Sequence, residues 1–376
     1  MKAQSGYIPT LDGWRASAIL GVILAHSLRG LSDTSLHGMT PDLVRLGQNG
    51  VSIFFGLSGF LISVRLLEEF QKTGSISLKR FYLRRAFRIL PPALVYLVLL
   101  GALGWLVRLA ISPGEWASSM FFARNYVPVG AGLGFYTEHF WSLAVEEHFY
   151  LLWPILLAAL GQRQLRWIVP ILIAAVSIWR NIEFHHGYLA ALLPGVEPSQ
   201  RTDVRVDSLL CGCMVALLMQ IPEFREWSKR ILQWPVFMLL GGCYLALVMG
   251  WVNLHLSALL AASICPVLIV ATVLHPQNFA GRLLEWLPFR WIGRLSYSLY
   301  LWQQLFIIGF VKGASSLEWL QKFPVNLAAL VLIALASYYL IERPLIRLGH
   351  RLATPATEGR DDLAGTAKSY MVACNS

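Results

Sequence analysis

Charged side chains are few in this sequence. Asp, Glu, Lys and Arg together supply 14% of its 376 residues, whereas 56% are hydrophobic. A soluble globular chain carries about 25% charged residues, so a pair of soluble domains is excluded and a polytopic membrane protein is implied. Mean hydropathy is +0.57. Cysteine is also scarce: Cys211, Cys213, Cys243 and Cys265 sit inside apolar runs, and Cys374 falls in a polar tail. That spacing fits neither a disulfide framework nor a zinc site. His185 and His186 are adjacent rather than four apart, so no metal site and no bound cofactor are expected. Two further motifs are missing, the glycine-rich phosphate loop and the G-x-S-x-G nucleophile elbow. Acidic residues number 21 against 31 basic ones, giving a formal net charge of +10. The basic residues cluster between apolar runs, which points to membrane topology, anionic lipid or a phosphorylated ligand rather than nucleic acid.

What is present is a series of about ten apolar segments of spanning or near-spanning length. They lie near Leu11–Leu31, Gly50–Leu67, Ile89–Ile111, Phe140–Leu160, Trp167–Ile182, Asp203–Ile221, Pro235–Trp251, His255–Leu274, Leu295–Val311 and Val325–Leu345. The expected fold is therefore an all-α bundle, with residues 1–352 as one transmembrane domain and 353–376 as a short, polar, disordered tail. The first run has no cleavage site after it and is read as a retained helix. The loop after the second segment holds Lys72, Lys79, Arg80, Arg84, Arg85 and Arg88, and later alternate loops repeat the basic bias. The positive-inside rule then puts both termini in the cytoplasm. Stretches 112–137 and 180–202 are polar outer connections; the first contains Pro113, Pro128 and the glycines between Gly130 and Gly134.

The first segment carries ionisable residues at both ends. Arg15 and His26 are eleven residues apart, about three helical turns or ~16 Å, and lie within about 20° of one helix face. An ionisable side chain at membrane depth is costly and marks a substrate path or a catalytic site. With cytoplasmic termini, Arg15 faces the inner side, while His26, Glu146 and Asp207 share an outer cavity. Imidazole titrates near neutral pH and can serve as base or nucleophile, with Glu146 orienting it. Glu147 points about 100° away from Glu146 on a helix and is set aside. Arg85 and Arg88, at i and i+3, suit bidentate phosphate binding beside Arg15. Asp12 pairs with Arg15 or caps the helix, Asp207 is a supporting residue paired with Arg205 or another helix, and Ser58 reads as a packing residue.

Several strings occurring in order resemble the acyltransferase-3 family of integral-membrane acyltransferases. LDGWRASAILGVILAH carries that family's Arg-x10-His pattern at Arg15 and His26, and LRRAFRILPP its Arg-x-x-Arg pattern at Arg85 and Arg88. FFGLSGFLIS, FWSLAVEEHFYLLWP with its glutamate at Glu146, RVDSLLCG, LSYSLYLW and IERPLI follow, so the likeness runs from Tyr7 to Arg347. Gln303 stands where many relatives have histidine. The resemblance implies an O-acyltransferase of the bacterial cytoplasmic (inner) membrane, moving an acyl group, most simply acetyl, from cytoplasmic acyl-CoA. The acceptor would be a hydroxyl of an extracytoplasmic glycan or lipid-linked sugar, with polysaccharide-assembly proteins as partners. Many relatives continue into a soluble esterase-like domain, whereas only a short tail follows here. A proton-coupled secondary transporter using His26 and Glu146 as a relay is the rival reading, although the chain shows no inverted repeat. A scaffold without chemistry is a third, and it would tolerate loss of His26.

Overall fold

The computed structural model describes residues 7–28, 40–106, 112–128, 135–252, 256–307 and 318–353. Among these, every regular element is helical. The main helices are α1 (Pro9–Leu28), α2 (Thr40–Thr73), α3 (Leu78–Leu106), α4 (Phe140–His186), α5 (Asp207–Leu218), α6 (Pro222–Ile231), α7 (Trp234–Met249), α8 (Ser257–Leu274), α9 (Leu287–Phe306), α10 (Val325–Ala336) and α11 (Arg343–Ala353). Five stretches among the described residues are long and apolar enough to cross a membrane. They are Gly47–Thr73, Leu78–Leu106, Phe135–His186, Ser257–Leu274 and Val325–Ala353, with a sixth if the bent pair α5 and α6 counts as one span. The ends of the expected first, third and ninth segments (29–31, 107–111 and 308–311) lie outside the described residues. So do the first residue of the eighth (255), the Gly130–Gly134 stretch and the tail from 354.

Where the helices differ from the ten expected segments, the reason is local. α1 is not among the spanning stretches, because Asp12, Arg15 and His26 dilute its apolar run; the residues of chemical interest are the ones that weaken its hydropathy. The expected fourth and fifth segments fuse into α4, 47 residues long, which would be about 70 Å if straight, more than twice a hydrocarbon core. Gly161 breaks it with φ 71° and ψ 166°, values a side chain would resist, so each arm has the length of a single pass. The expected sixth segment splits into the turn Thr202–Arg205 and α5, then bends by 108° at Pro222 into α6. α6 and α11 are strongly amphipathic and carry Arg225, Lys229, Arg230, Arg347, His350 and Arg351, as helices lying in a membrane interface do. The expected loop 112–137 is partly helical, with a turn of helix at Pro113–Met120 and short 3-10 turns at Arg124–Tyr126 and Phe135–Thr137. The polar connection expected from 180 begins only after His186, where Gly187 ends α4 in the left-handed conformation.

α1 is the axis of the site-bearing half, packed chiefly against α2 and α9. Small residues allow the close approach. A Cβ added at Gly50 would overlap the Ala18 carbonyl of α1, and one at Gly293 of α9 would overlap the Asp12 carbonyl. α2 meets α5 through Gly59 and Gly212 in the same way. The core around these contacts includes Ile19, Val22, Phe55, Tyr96, Phe140, Trp153, Leu209 and Trp302, all buried. Between α10 and α11 the backbone widens into one π turn, Ser337–Glu342, which brings the buried Glu342 carboxylate onto the Ser298 hydroxyl of α9.

Candidate active site

Two polar regions line the interior along α1. The first surrounds Arg15. Its Nη1 donates to Asp12 at 2.8 Å, and the Tyr7 hydroxyl donates to the other Asp12 oxygen at 2.7 Å, so the expected i, i+3 pair forms on a buried carboxylate. Arg85 and Arg88 of α3 come near this point, and the charges of Arg15 and Arg88 act on one another. The Arg85 guanidinium lies 4.7 Å from the centre of the Tyr150 ring and 5.8 Å from that of Phe81. Neither Arg85 nor Arg88 makes an ion pair within 4.0 Å among the described residues; aromatic faces position Arg85 instead. Their donors therefore remain available to a phosphate.

Glu146 belongs to this region by its contacts. Its carboxylate accepts from the Ser58 hydroxyl and the Tyr150 hydroxyl, each at 2.8 Å, and lies in the field of Arg85 and Arg88. Tyr150 also donates towards Ser58 at 3.1 Å, so the three side chains form one small network between α2 and α4. Ser58, expected to serve packing, thus has a polar role. Glu147 is also near the Arg85 charge, and its Oε1 is buried with no hydrogen-bond partner. The 100° separation along the helix does not keep it out of the cluster, because α3 passes close enough for the Arg85 charge to act on both carboxylates.

The second region is a cavity of about 170 Å³ at the far end of α1. Among its lining residues are His26, Gly47, Glu138, His139, Trp141, Arg205, Tyr300 and Gln304. His26 Nδ1 lies 3.3 Å from Gln303 Oε1. This contact ties the imidazole to α9 through its Nδ1 edge. Of the three residues expected to share an outer cavity, His26 is the one that lines it; Glu146 and Asp207 are engaged elsewhere. Glu146 stands about 10 Å further along α4 than His139. Asp207, at the first turn of α5, pairs with Arg180 at 2.5 Å rather than with Arg205. Arg205 instead donates to the Ser52 hydroxyl at 3.3 Å and lies over the Trp141 ring at 5.6 Å.

Beyond the cavity, the connections are tied by buried ion pairs. Arg201 joins Glu183 at 2.7 Å and Asp203 at 2.6 Å, and Arg124 joins Glu115 at 3.2 Å. Burial alone would weaken the Arg201 charge, yet hydrogen bonds to Asp203 and Glu183 outweigh it and hold the guanidinium above its ordinary range. At Arg124 burial prevails over the Glu115 attraction and draws the guanidinium down. Burial, followed by the nearby Asp203 charge, pushes the Tyr126 phenol up.

Sequence reasoning passed over His139, Tyr150 and Glu138. Tyr150 has a visible signal, since it lies four residues after Glu146 and so on the same helix face. His139 has a weaker one, a lone imidazole at the polar entrance of a strongly apolar helix. That it faces His26 depends on how α1, α4 and α9 converge, and local sequence does not specify this.

Comparison with known proteins agrees with the arrangement. The acyltransferase-domain model of the acyltransferase-3 family matches residues 8–343, and the chain belongs to that family. With its apolar helices, this makes it an integral membrane protein. It is 29% identical over 369 residues to the peptidoglycan O-acetyltransferase OatA of Listeria monocytogenes serovar 1/2a, covering 91% of this chain and 56% of that protein. It is 29% identical over 377 residues to YrhL of Bacillus subtilis strain 168, provisionally named a peptidoglycan O-acetyltransferase, covering 92% of this chain and 56% of the relative. A Staphylococcus aureus strain COL protein, provisionally named an O-acetyltransferase, is 27% identical over 370 residues, covering 91% of this chain and 58% of its own length. The chain thus spans a little over half the length of these relatives. No solved structure matches it.

Proposed function

We propose that this chain is a membrane O-acetyltransferase that moves an acetyl group from acetyl-CoA on the cytoplasmic side to a hydroxyl of a peptidoglycan-type glycan or lipid-linked sugar outside. In this reading both termini are cytoplasmic and about ten segments cross a bacterial cytoplasmic membrane, the shorter ones lengthened by their interfacial neighbours. The observation that carries the proposal is the position of His26. Its Nδ1 edge is turned to Gln303 and the residue forms part of the cavity wall, on the same helix as an arginine ~16 Å away. Arg85 and Arg88, which lack carboxylate partners among the described residues, receive the phosphates of CoA together with Arg15. The thioester end then points along α1 towards His26.

Two chemical routes fit this geometry. As a base, Nε2 takes the acceptor hydroxyl proton while the oxygen attacks the thioester carbon, and the C–S bond breaks to release CoA thiolate. As a carrier, Nε2 itself attacks that carbon and the C–S bond breaks to release CoA thiolate; the acceptor oxygen later attacks the acetyl carbon, the C–N bond breaks, and the hydroxyl proton passes to the thiolate or to solvent. Glu146, tied to Ser58 and Tyr150 beside Arg85, steadies the donor-side charge in either route. The peptidoglycan acceptor is supported by the names of the two relatives at 29% identity.

The test uses membranes containing wild-type protein or His26→Ala, incubated with acetyl-labelled acetyl-CoA and soluble peptidoglycan fragments. Wild-type protein should release CoA and label the glycan. The variant, inserted and folded, should lose about a hundredfold or more of that activity, the scale of a general base. Equal turnover by both proteins removes His26 from the mechanism. Silence in both, with flux that follows a proton gradient, would install the transporter instead.

A further inference from the structure

His139 is the most conspicuous polar group that this mechanism leaves unused. It immediately precedes α4 and lines the cavity with His26, close enough for the two imidazoles to interact electrostatically. Only 3% of the residue is exposed. Tyr96, Phe140 and Tyr300 enclose its ring edge-on, with centroids at 5.4, 4.9 and 5.7 Å. Yet neither ring nitrogen makes a hydrogen bond of good geometry; the Leu301 backbone comes near without meeting it. Gln304, 1% exposed on α9 and lining the same cavity, likewise has an unpartnered Oε1. Leaving a buried polar atom unpaired is costly, and here four such atoms belong to residues lining one cavity, the fourth being Arg205 Nε.

The inventory of these atoms selects a ligand class. One neutral imidazole offers an N–H donor and a lone pair, and the Gln304 oxygen offers a second acceptor. With the Arg205 Nε–H as a second donor, two acceptors and two donors match a neutral polyhydroxyl compound, whose hydroxyls both donate and accept. A carboxylate or phosphate accepts only and would leave those two lone pairs unmet, and in the lining the Glu138 carboxylate offsets the Arg205 charge. We propose that His139 and Gln304 form the acceptor subsite, in which His139 hydrogen-bonds the attacking sugar hydroxyl and holds its oxygen towards His26. This rests on the acetyltransferase reading above and assigns the cavity to the acceptor rather than the donor. The group transfer is unchanged: the acceptor oxygen still forms the new C–O bond, and the acetyl group leaves sulfur or His26 as already described.

The experiment compares two replacements at one position in the full chain, reconstituted in phospholipid vesicles. Acetyl-labelled acetyl-CoA is the donor and soluble peptidoglycan fragments are the acceptor. His139→Phe keeps an aromatic ring against Tyr96, Phe140 and Tyr300 but removes hydrogen bonding; His139→Gln does the reverse. The acceptor role predicts that His139→Phe loses about a hundredfold in kcat/KM for the glycan, with the KM for acetyl-CoA within threefold of wild type. It also predicts that His139→Gln recovers at least about tenfold of that loss. A purely structural role predicts the opposite order, with Phe the better substitute, and that order overturns the proposal. An unchanged His139→Phe overturns it as well. Should neither variant accumulate in folded form, Gln304→Met is measured in the same way: a rise of about fivefold or more in the glycan KM supports the subsite, and an unchanged value overturns it. Wild-type label transfer tests the acetyltransferase reading separately, so loss of the subsite alone is distinguishable from loss of the function.

Discussion

Arginines on the two sides of the His26 cavity are held in opposite ways. In the connections around the cavity and the adjoining end of α4, Arg124, Arg201 and Arg180 are buried, and each has a carboxylate within 3.2 Å. Around Glu146, Arg85 and Arg88 are half-buried in the fields of neighbours, Arg85 resting on the Tyr150 and Phe81 rings, with no such partner among the described residues. Arg15 falls between, with a single bond to Asp12. A guanidinium has five N–H donors. Where two carboxylates take them, as at Arg201, the residue closes a connection and has little left for a ligand. Where none does, the protein carries the desolvation of a cation without its usual compensation, which is understandable if an anion supplies it. The same residue type thus closes ion pairs in one region and, in the proposed function, receives the donor phosphates in the other.

Mutations can separate the two roles. The largest effect is expected at Arg201→Ala, which strands the buried Glu183 carboxylate. About 3–5 kcal/mol of stability should disappear, visible as a sharply lowered melting temperature in detergent, with activity per folded molecule little changed. A stable Arg201→Ala protein would mean that this belt does not hold the connections. Next comes Arg85→Ala, for which melting should barely move while kcat/KM for acetyl-CoA falls about a hundredfold. Arg85→Lys should regain only part, because an ammonium lacks the bidentate fork. If Arg85→Ala unfolds the protein without affecting donor use, the contrast between the two sets collapses.

Tyr150→Phe should have a smaller effect, about 1–2 kcal/mol, since it removes a hydrogen bond to Glu146 but keeps the aromatic face under Arg85. Combining it with Ser58→Ala should be less than additive, because both donors serve one carboxylate; full additivity in a double-mutant cycle would dissolve that network. The smallest change is expected for Asp12→Asn. The amide still accepts from Arg15, so the KM for acetyl-CoA should shift by less than about threefold, from loss of a partly exposed pair. A large shift would move Asp12 from steadying Arg15 into the donor site itself.

The sequence carried the class of fold in its composition. A shortage of charge and a recurrence of apolar runs leave helices as the way to satisfy backbone groups in lipid. It also carried the spacing of Arg15 from His26, the i, i+3 pairing of Arg15 with Asp12 and the i, i+3 spacing of Arg85 and Arg88, because helical periodicity fixes relations within one helix. Relations between helices were less legible. Hydropathy marked Phe140–Leu160 and Trp167–Ile182 as two segments but did not reveal the single break at Gly161 that joins them. It counted α1 as an ordinary span although its polar residues set it apart.

Glu146 was recognised as an interior carboxylate and assigned to His26, whereas its hydrogen bonds run to Ser58 and Tyr150 and its charge neighbours are on α3. Gln303 as the partner of His26, and His139 across the cavity from it, likewise depend on contacts between residues far apart in the chain. One-dimensional pattern determined which side chains this protein keeps at membrane depth and how they are spaced along each helix. Which of them meet was decided by tertiary packing, since the glycine contacts that draw α1 against α2 and α9 set the interhelical distances, and hydrogen bonds form only at the distances that packing allows.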